Sequence, residues 1–179
     1  MKFLPTQLTG VIQIEPEPRW DDRGFLARTY CDREFSSAGL NTTWVQHNHT
    51  LTRNAGTIRG LHWQAMPAPE TKLVRCLRGR VLDVAVDIRR DSPTFGAWTA
   101  VELSGDHRNA LYIPGGFAHG FQCLTEECEL LYLMSASYEP NLARGVRWND
   151  PALGISWPLP GVGLSERDQG LPLLGEIES

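Results

Sequence analysis

Apolar and polar residues alternate with a period of two over much of the chain, as expected of strands that bury one face. The clearest run is Thr71 to Ile88, TKLVRCLRGRVLDVAVDI, where alternation continues on both sides of Gly79 and predicts a hairpin turning at that glycine. Further short strands are predicted over Ala97 to Leu103, Ala110 to Ile113 and Glu129 to Met134, and Ile58 to Lys72, IRGLHWQAMPAPETK, has the outline of another strand hairpin. Helical periodicity is weak. Two short helices are predicted, one over Cys31 to Ala38 and one over Leu164 to Gln169, the second with Ser165 as N-cap and Asp168 three residues on, in the manner of a capping box.

Composition narrows this to an all-β fold. Seventeen glycines and twelve prolines cut the 179 residues into pieces too short for a helical bundle and suited to a sandwich or barrel. There is no internal repeat or linker, so one domain over residues 1–179 is expected, a double-sheet jelly-roll barrel with short terminal helices. A net charge of -4 argues against a protein built to wrap nucleic acid. The N-terminus has no long apolar segment with a cleavage site, and no apolar run reaches the length of a membrane span, which favours the cytoplasm and no membrane partner. Cys31, Cys76, Cys123 and Cys128 form no CxxC pair and read as reduced thiols.

Two stretches carry candidate chemistry. In NALYIPGGFAHGF, residues 109–121, the spacing Pro114-x-Gly116-x-x-His119 resembles the second motif of cupins, small jelly-roll barrels that often hold a metal. The first cupin motif expects H-x-H, a glutamate, six residues and a glycine. Here those places read His62-Trp63-Gln64, Lys72 and Gly79. An ammonium has no lone pair to give a metal and adds a repelling charge, so no metal ligand set and no cofactor are expected. A lysine at that place would still stabilise negative charge, and His62, free of coordination, becomes a candidate general base.

Several blocks, taken together and in order, sharpen this. DDRGF at 21–25, QHN at 46–48, GTIRGLHWQ at 56–64, KLVRCLRGRVLDVAVDIR at 72–89, SPTFG at 92–96, LYIPGGFAHGF at 111–121 and WNDPALGISWP at 148–158 resemble the dTDP-4-dehydrorhamnose 3,5-epimerase family. The resemblance implies a metal-independent cupin homodimer that inverts carbons beside the ketone of a nucleotide-linked 4-keto-6-deoxy sugar. It implies that His62 is the base, that Asp168 of the LSxxD segment orients it, that Tyr132 is the acid on the other face, and that Lys72 lies near the C4 oxygen. Substrate-binding roles are implied for Arg59 on the diphosphate, for Arg23 reaching in from the neighbouring subunit, and for Gln46, Asn48, His119 and Tyr138. Taken singly, Tyr132 reads as a strand aromatic, Asp168 as a helix-start residue, and Arg23 and Arg59 as surface charges.

The chain departs from the family pattern at Arg19 and Arg28, where a phenylalanine and a glutamate near the thymidine are common. An arginine for a carboxylate reverses the charge and removes an acceptor, which bears on the nucleotide base rather than on the chemistry. Two other functions fit a cupin pocket, a sugar-nucleotide 3,4-ketoisomerase and a non-catalytic ligand-binding module. Solvent deuterium separates them: an epimerase labels C3, C5 or both, an isomerase moves the carbonyl, and a binding module does neither.

Overall fold

The structure is a computed structural model that describes residues 1–177. In chain order its strands are β1 (Lys2–Pro5), β2 (Ile12–Glu15), β3 (Arg19–Asp21), β4 (Gly24–Leu26), β5 (Gln46–Thr52), β6 (Ile58–Gln64) and β7 (Lys72–Arg78). They continue as β8 (Arg80–Asp87), β9 (Trp98–Ser104), β10 (Ala110–Ile113), β11 (Phe117–Cys123), β12 (Cys128–Met134) and β13 (Ala143–Gly145). Helix α1 (Asp32–Ser37) and helix α2 (Glu166–Gln169) fall where the sequence predicts them. A six-stranded sheet, β1-β2-β10-β7-β12-β5, faces a five-stranded sheet, β13-β6-β11-β8-β9, while β3 and β4 pair only with each other. This is the all-β jelly roll expected from the alternation.

The predicted turn at Gly79 is there, but it does not close a hairpin. β7 belongs to the six-stranded sheet and β8 to the five-stranded one, so the chain crosses between layers at this residue. Cys76 before it and Val81 after it enter the same core cluster, so alternation is seen on both sides of the crossing while the inward row shifts from even-numbered residues on β7 to odd-numbered ones on β8. Gly79 takes φ +76, and a Cβ there would lie 2.6 Å from Thr125 Oγ1 and 2.9 Å from Cys128 Sγ. Any side chain would therefore be strained and crowded at the crossing.

Three apolar clusters follow from the two faces of each strand. Between the sheets lie Val74, Cys76, Val81, Ala85, Leu111, Phe117, Phe121 and Leu130. Outside the five-stranded sheet, Leu61, Trp63, Val84 and Val86 are covered by Leu153, Leu174 and Ile177 of the C-terminal segment. Outside the six-stranded sheet, Leu73, Tyr112 and Leu133 pack on Phe35 of α1. Fully burying each of the larger aliphatic or aromatic chains is worth about 1.5–3 kcal/mol.

The inward rows are not apolar from end to end. On β7 the row reads Lys72, Val74, Cys76; on β12 it reads Met134, Tyr132, Leu130; on β11 it reads His119, Phe121, Cys123. One end of the barrel interior is thus a packed core, and the other end is polar. The site is built at that polar end. The four cysteines are free, three of them buried. Among the described residues, no helix is long and apolar enough to cross a membrane.

Candidate active site

The polar end opens into a pocket of about 650 Å³, a volume that suits a small-molecule ligand. His62, Asp168, Tyr132, Lys72, Gln46, Asn48, Arg59, His119 and Tyr138 all line it. Strand register explains the convergence. His62 on β6 and His119 on β11 are directly opposed, and on the other sheet Tyr132 pairs with Asn48 while Lys72 pairs with Met134. Residues two apart on a strand share a face, so β5 presents Gln46, Asn48 and Thr50 to the pocket together.

His62 Nε2 is 2.7 Å from Asp168 Oδ1. Ser165 caps α2 by accepting the Asp168 backbone N–H, and this turns the Asp168 carboxylate back toward β6, where Oδ2 accepts the Gly60 N–H at 3.3 Å. Gly60 has φ +127, and a Cβ there would lie 2.5 Å from Gly120 Cα, so only glycine lets β6 lie this close to β11. Burial pushes the Asp168 carboxyl up, but the hydrogen bond and charge of His62, with the Gly60 and Ser165 contacts, outweigh it and hold the group below its ordinary value. The tautomer that donates from Nε2 leaves the Nδ1 lone pair free to take a proton.

His119 makes a second pair, Nε2 to Asp83 Oδ1 at 2.7 Å, with side chains only 9% and 0% exposed. His62 is 34% exposed, so the two imidazoles share a partner type and differ in access. Across the pocket, the Tyr132 hydroxyl is 3.0 Å from Thr50 Oγ1. Burial pushes the Tyr132 phenol up to about 12, against a smaller lowering by Thr50. Its ring meets that of His119 edge-on at 6.3 Å. Lys72 Nζ donates to the His62 carbonyl at 3.1 Å and pairs with Glu70 Oε1 at 2.8 Å.

Gln64, at a cupin ligand position, is spent on the backbone. Its Nε2 donates to the Ala68 and Ser137 carbonyls, and its Oε1 accepts the Glu139 N–H. Among the described residues, no three His, Cys, Asp or Glu side chains converge as a metal site would require. Arg59 donates from Nε to Thr52 Oγ1 at 3.0 Å. Gln46 donates to Asn48 and accepts the Tyr138 N–H.

Arg23 is the one expected site residue that the pocket of this chain does not include. It stands on the β3–β4 hairpin with its side chain 90% exposed, paired to Asp21. Arg19 and Arg28 border a separate hollow with Met1, Glu17 and Glu34, and Arg28 pairs with Glu34 at 2.7 Å. The sequence reading missed Thr50, Glu70, Arg144 and Arg167, all of which line the pocket. Thr50 was within reach, since it is two residues beyond Asn48 on the same strand face. Arg167 precedes Asp168 in SERDQ and comes in with it. With Arg59, Lys72, Arg144 and Arg167 against Glu70 and Asp168, the pocket is positive in a chain of net charge -4, which favours an anionic ligand.

A jelly roll with a histidine, a tyrosine and a lysine gathered in one positive pocket defines a cupin-type barrel with a site suited to an anionic ligand. The family model for dTDP-4-dehydrorhamnose 3,5-epimerase matches residues 5–176, and the chain belongs to that family of isomerases. It is 43% identical over 178 residues to the dTDP-4-dehydrorhamnose 3,5-epimerase of Methanothermobacter thermautotrophicus, covering 98% of this chain and 95% of that one. A solved dTDP-6-deoxy-D-glucose-3,5-epimerase from Legionella pneumophila, in complex with dTDP-4-keto-L-rhamnose, matches with a TM-score of 0.94 at 38% identity, over 99% of this chain and 94% of that one. A 3'-monoepimerase from Streptomyces bikiniensis in complex with dTDP-quinovose gives a TM-score of 0.90 at 35% identity, over 96% and 87%.

Proposed function

We propose that the protein inverts C3 and C5 of dTDP-4-dehydro-6-deoxyglucose to give dTDP-4-dehydrorhamnose in deoxysugar biosynthesis, without a metal or other cofactor. The observation that carries this reading is the placement of His62, bonded to Asp168, on one sheet and Tyr132 on the other, with Lys72 in the same pocket. His62 Nδ1 takes the proton from the carbon beside the ketone. The C–H electron pair moves into a carbon–carbon double bond, and the ketone oxygen becomes an enolate held by the Lys72 ammonium. Tyr132 gives its proton to the opposite face of the carbon, and the double-bond electrons form the new C–H bond. The phenolate accepts a hydrogen bond from Thr50 until solvent reloads it. Solvent also takes the proton from His62, so both groups return to their starting states.

Arg59 holds the diphosphate through its fork of donors, while Gln46, Asn48, His119 and Tyr138 shape the space for the nucleotide and sugar. The working form is a homodimer of single cupin domains in which β3–β4 completes the neighbour's pocket with Arg23. Trp20, Phe25 and Leu26 on that hairpin are 65%, 46% and 77% exposed, an apolar surface that a second copy would cover. The free cysteines suit a reducing cytoplasm.

The test is turnover of dTDP-4-dehydro-6-deoxyglucose in heavy water. Inversion with deuterium at both C3 and C5 supports the reading, whereas carbonyl migration or no exchange contradicts it. Label at C3 alone would favour the second reading, a single inversion, which the likeness to the Streptomyces bikiniensis monoepimerase motivates. Chelator-treated protein is expected to keep its full rate. For the shared site, mixing inactive Arg23→Ala and His62→Ala proteins should restore part of the activity through hybrid dimers; no restoration after demonstrated subunit exchange contradicts it.

A further inference from the structure

Glu70 stands on the segment between β6 and β7, lines the pocket, and has a side chain only 9% exposed. On charge grounds a carboxylate does not belong there. The proposed reaction builds negative charge on the ketone oxygen, the diphosphate carries more, and a buried anion repels both. Burying a carboxylate is also costly unless it is paired. Glu70 Oε1 has its pair 2.8 Å away in Lys72 Nζ, which is itself only 8% exposed.

The ammonium has a second fixed neighbour, the carbonyl of His62, which accepts from it at 3.1 Å. A lysine side chain is a flexible four-carbon stem ending in three N–H donors. With the Glu70 carboxylate and the His62 carbonyl as its two protein neighbours, a donor remains for the pocket. The carbonyl belongs to the base itself, so the ammonium is also registered against the imidazole that removes the proton. Met134 and Ile113, which pair with Lys72 in the sheet, carry no charge to compete.

On the basis of the epimerase reading above, we infer that Glu70 is the positioning residue for Lys72. Its carboxylate clamps the ammonium where one N–H meets the ketone oxygen as the enolate forms. The negative charge is tolerated because it acts through the cation rather than on the substrate.

The experiment is a cycle of Glu70→Gln, Lys72→Met and the double variant, with Glu70→Asp as a fourth protein, each assayed for deuterium wash-in and inversion of dTDP-4-dehydro-6-deoxyglucose. Glutamine keeps the length and an acceptor oxygen and loses only the charge. Glu70→Gln should slow wash-in by about tenfold, the scale of a catalytic group slightly misplaced, with KM within about twofold of wild type. In the Lys72→Met background the same change should alter the rate by less than about twofold, because nothing is left to position. Glu70→Asp, charged but one methylene short, should fall between wild type and Glu70→Gln. A Glu70→Gln enzyme as fast as wild type, or a slowing equally large without Lys72, overturns the clamp. A wild-type enzyme that neither exchanges nor inverts this sugar would instead sink the epimerase reading, and the clamp with it. Melting temperatures of all four variants separate loss of fold from loss of position.

Discussion

On the five-stranded sheet, His62 and His119 each hold a carboxylate at 2.7 Å; on the six-stranded sheet, Tyr132 meets a neutral hydroxyl, that of Thr50, and is buried enough that its phenol is pushed up to about 12. One wall therefore offers imidazoles backed by negative charge, suited to accepting a proton and stabilising the cation that results. The other wall offers a phenol that keeps its proton through the neutral range. A proton acceptor backed by a carboxylate and a proton donor backed by a hydroxyl, facing one space, are what an acid–base pair requires. The contrast also separates the two histidines. Asp168 reaches His62 from α2, outside the barrel strands, and leaves the ring half-accessible, whereas Asp83 and His119 sit on neighbouring strands and are almost sealed. An accessible imidazole can work on a substrate, and a sealed one is better suited to shaping the wall.

Removing the proposed base should have the largest effect. His62→Ala is expected to abolish both solvent exchange and turnover, with losses of about 100-fold or more. If His119→Ala alone did so while His62→Ala kept activity, the two imidazoles would have to trade roles.

Asp168→Asn should come next, at about tenfold or more in kcat, since the amide no longer orients the ring or balances an imidazolium. This variant also has a pH signature. The Asp168 carboxyl lies below its ordinary value in the folded protein, so its stabilisation is present above about pH 4 and fades as pH falls through the lowered value. The difference in Tm between wild type and Asp168→Asn should accordingly shrink as the pH is lowered from about 5 toward about 2. A constant gap over that range would separate the pair from acid stability.

The opposite wall titrates the other way. A phenol raised to about 12 holds its proton to higher pH, so Tyr132 should cause no alkaline loss of activity between pH 8 and 10. Phenolate absorbance that depends on Tyr132 and rises in that interval would contradict the burial argument. The smallest effect is expected from Thr50→Val, which removes one hydrogen bond to Tyr132 and should slow inversion about fivefold, while Thr50→Ser restores it.

How much of this was legible in the sequence depended on the kind of information. Alternation gave β7 and β8, which have a repeating inward row, while β9, β10 and β12 were read as short β runs. It was silent on β11, whose seven residues are all buried, and on β5, whose row of Gln46, Asn48 and Thr50 is polar because it faces the pocket. It misjudged Gly79, since a crossing between sheets and a hairpin leave the same periodic trace. His62, Lys72, Tyr132 and Asp168 were found through spacing and family likeness, and the fold brings them together from β6, β7, β12 and α2. Glu70 and Arg144 could not be found that way. Glu70 sits on a connecting segment and Arg144 on the short edge strand β13, and neither belongs to a periodic row.

The opposition of the two walls is tested most directly by Tyr132→Phe in heavy water, because it deletes the donor and keeps the ring. His62 should still remove the proton, so deuterium is expected to wash into the uninverted sugar faster than inverted product forms. Inversion at the wild-type rate would show that Tyr132 is only part of the wall and that the proton returns from somewhere else.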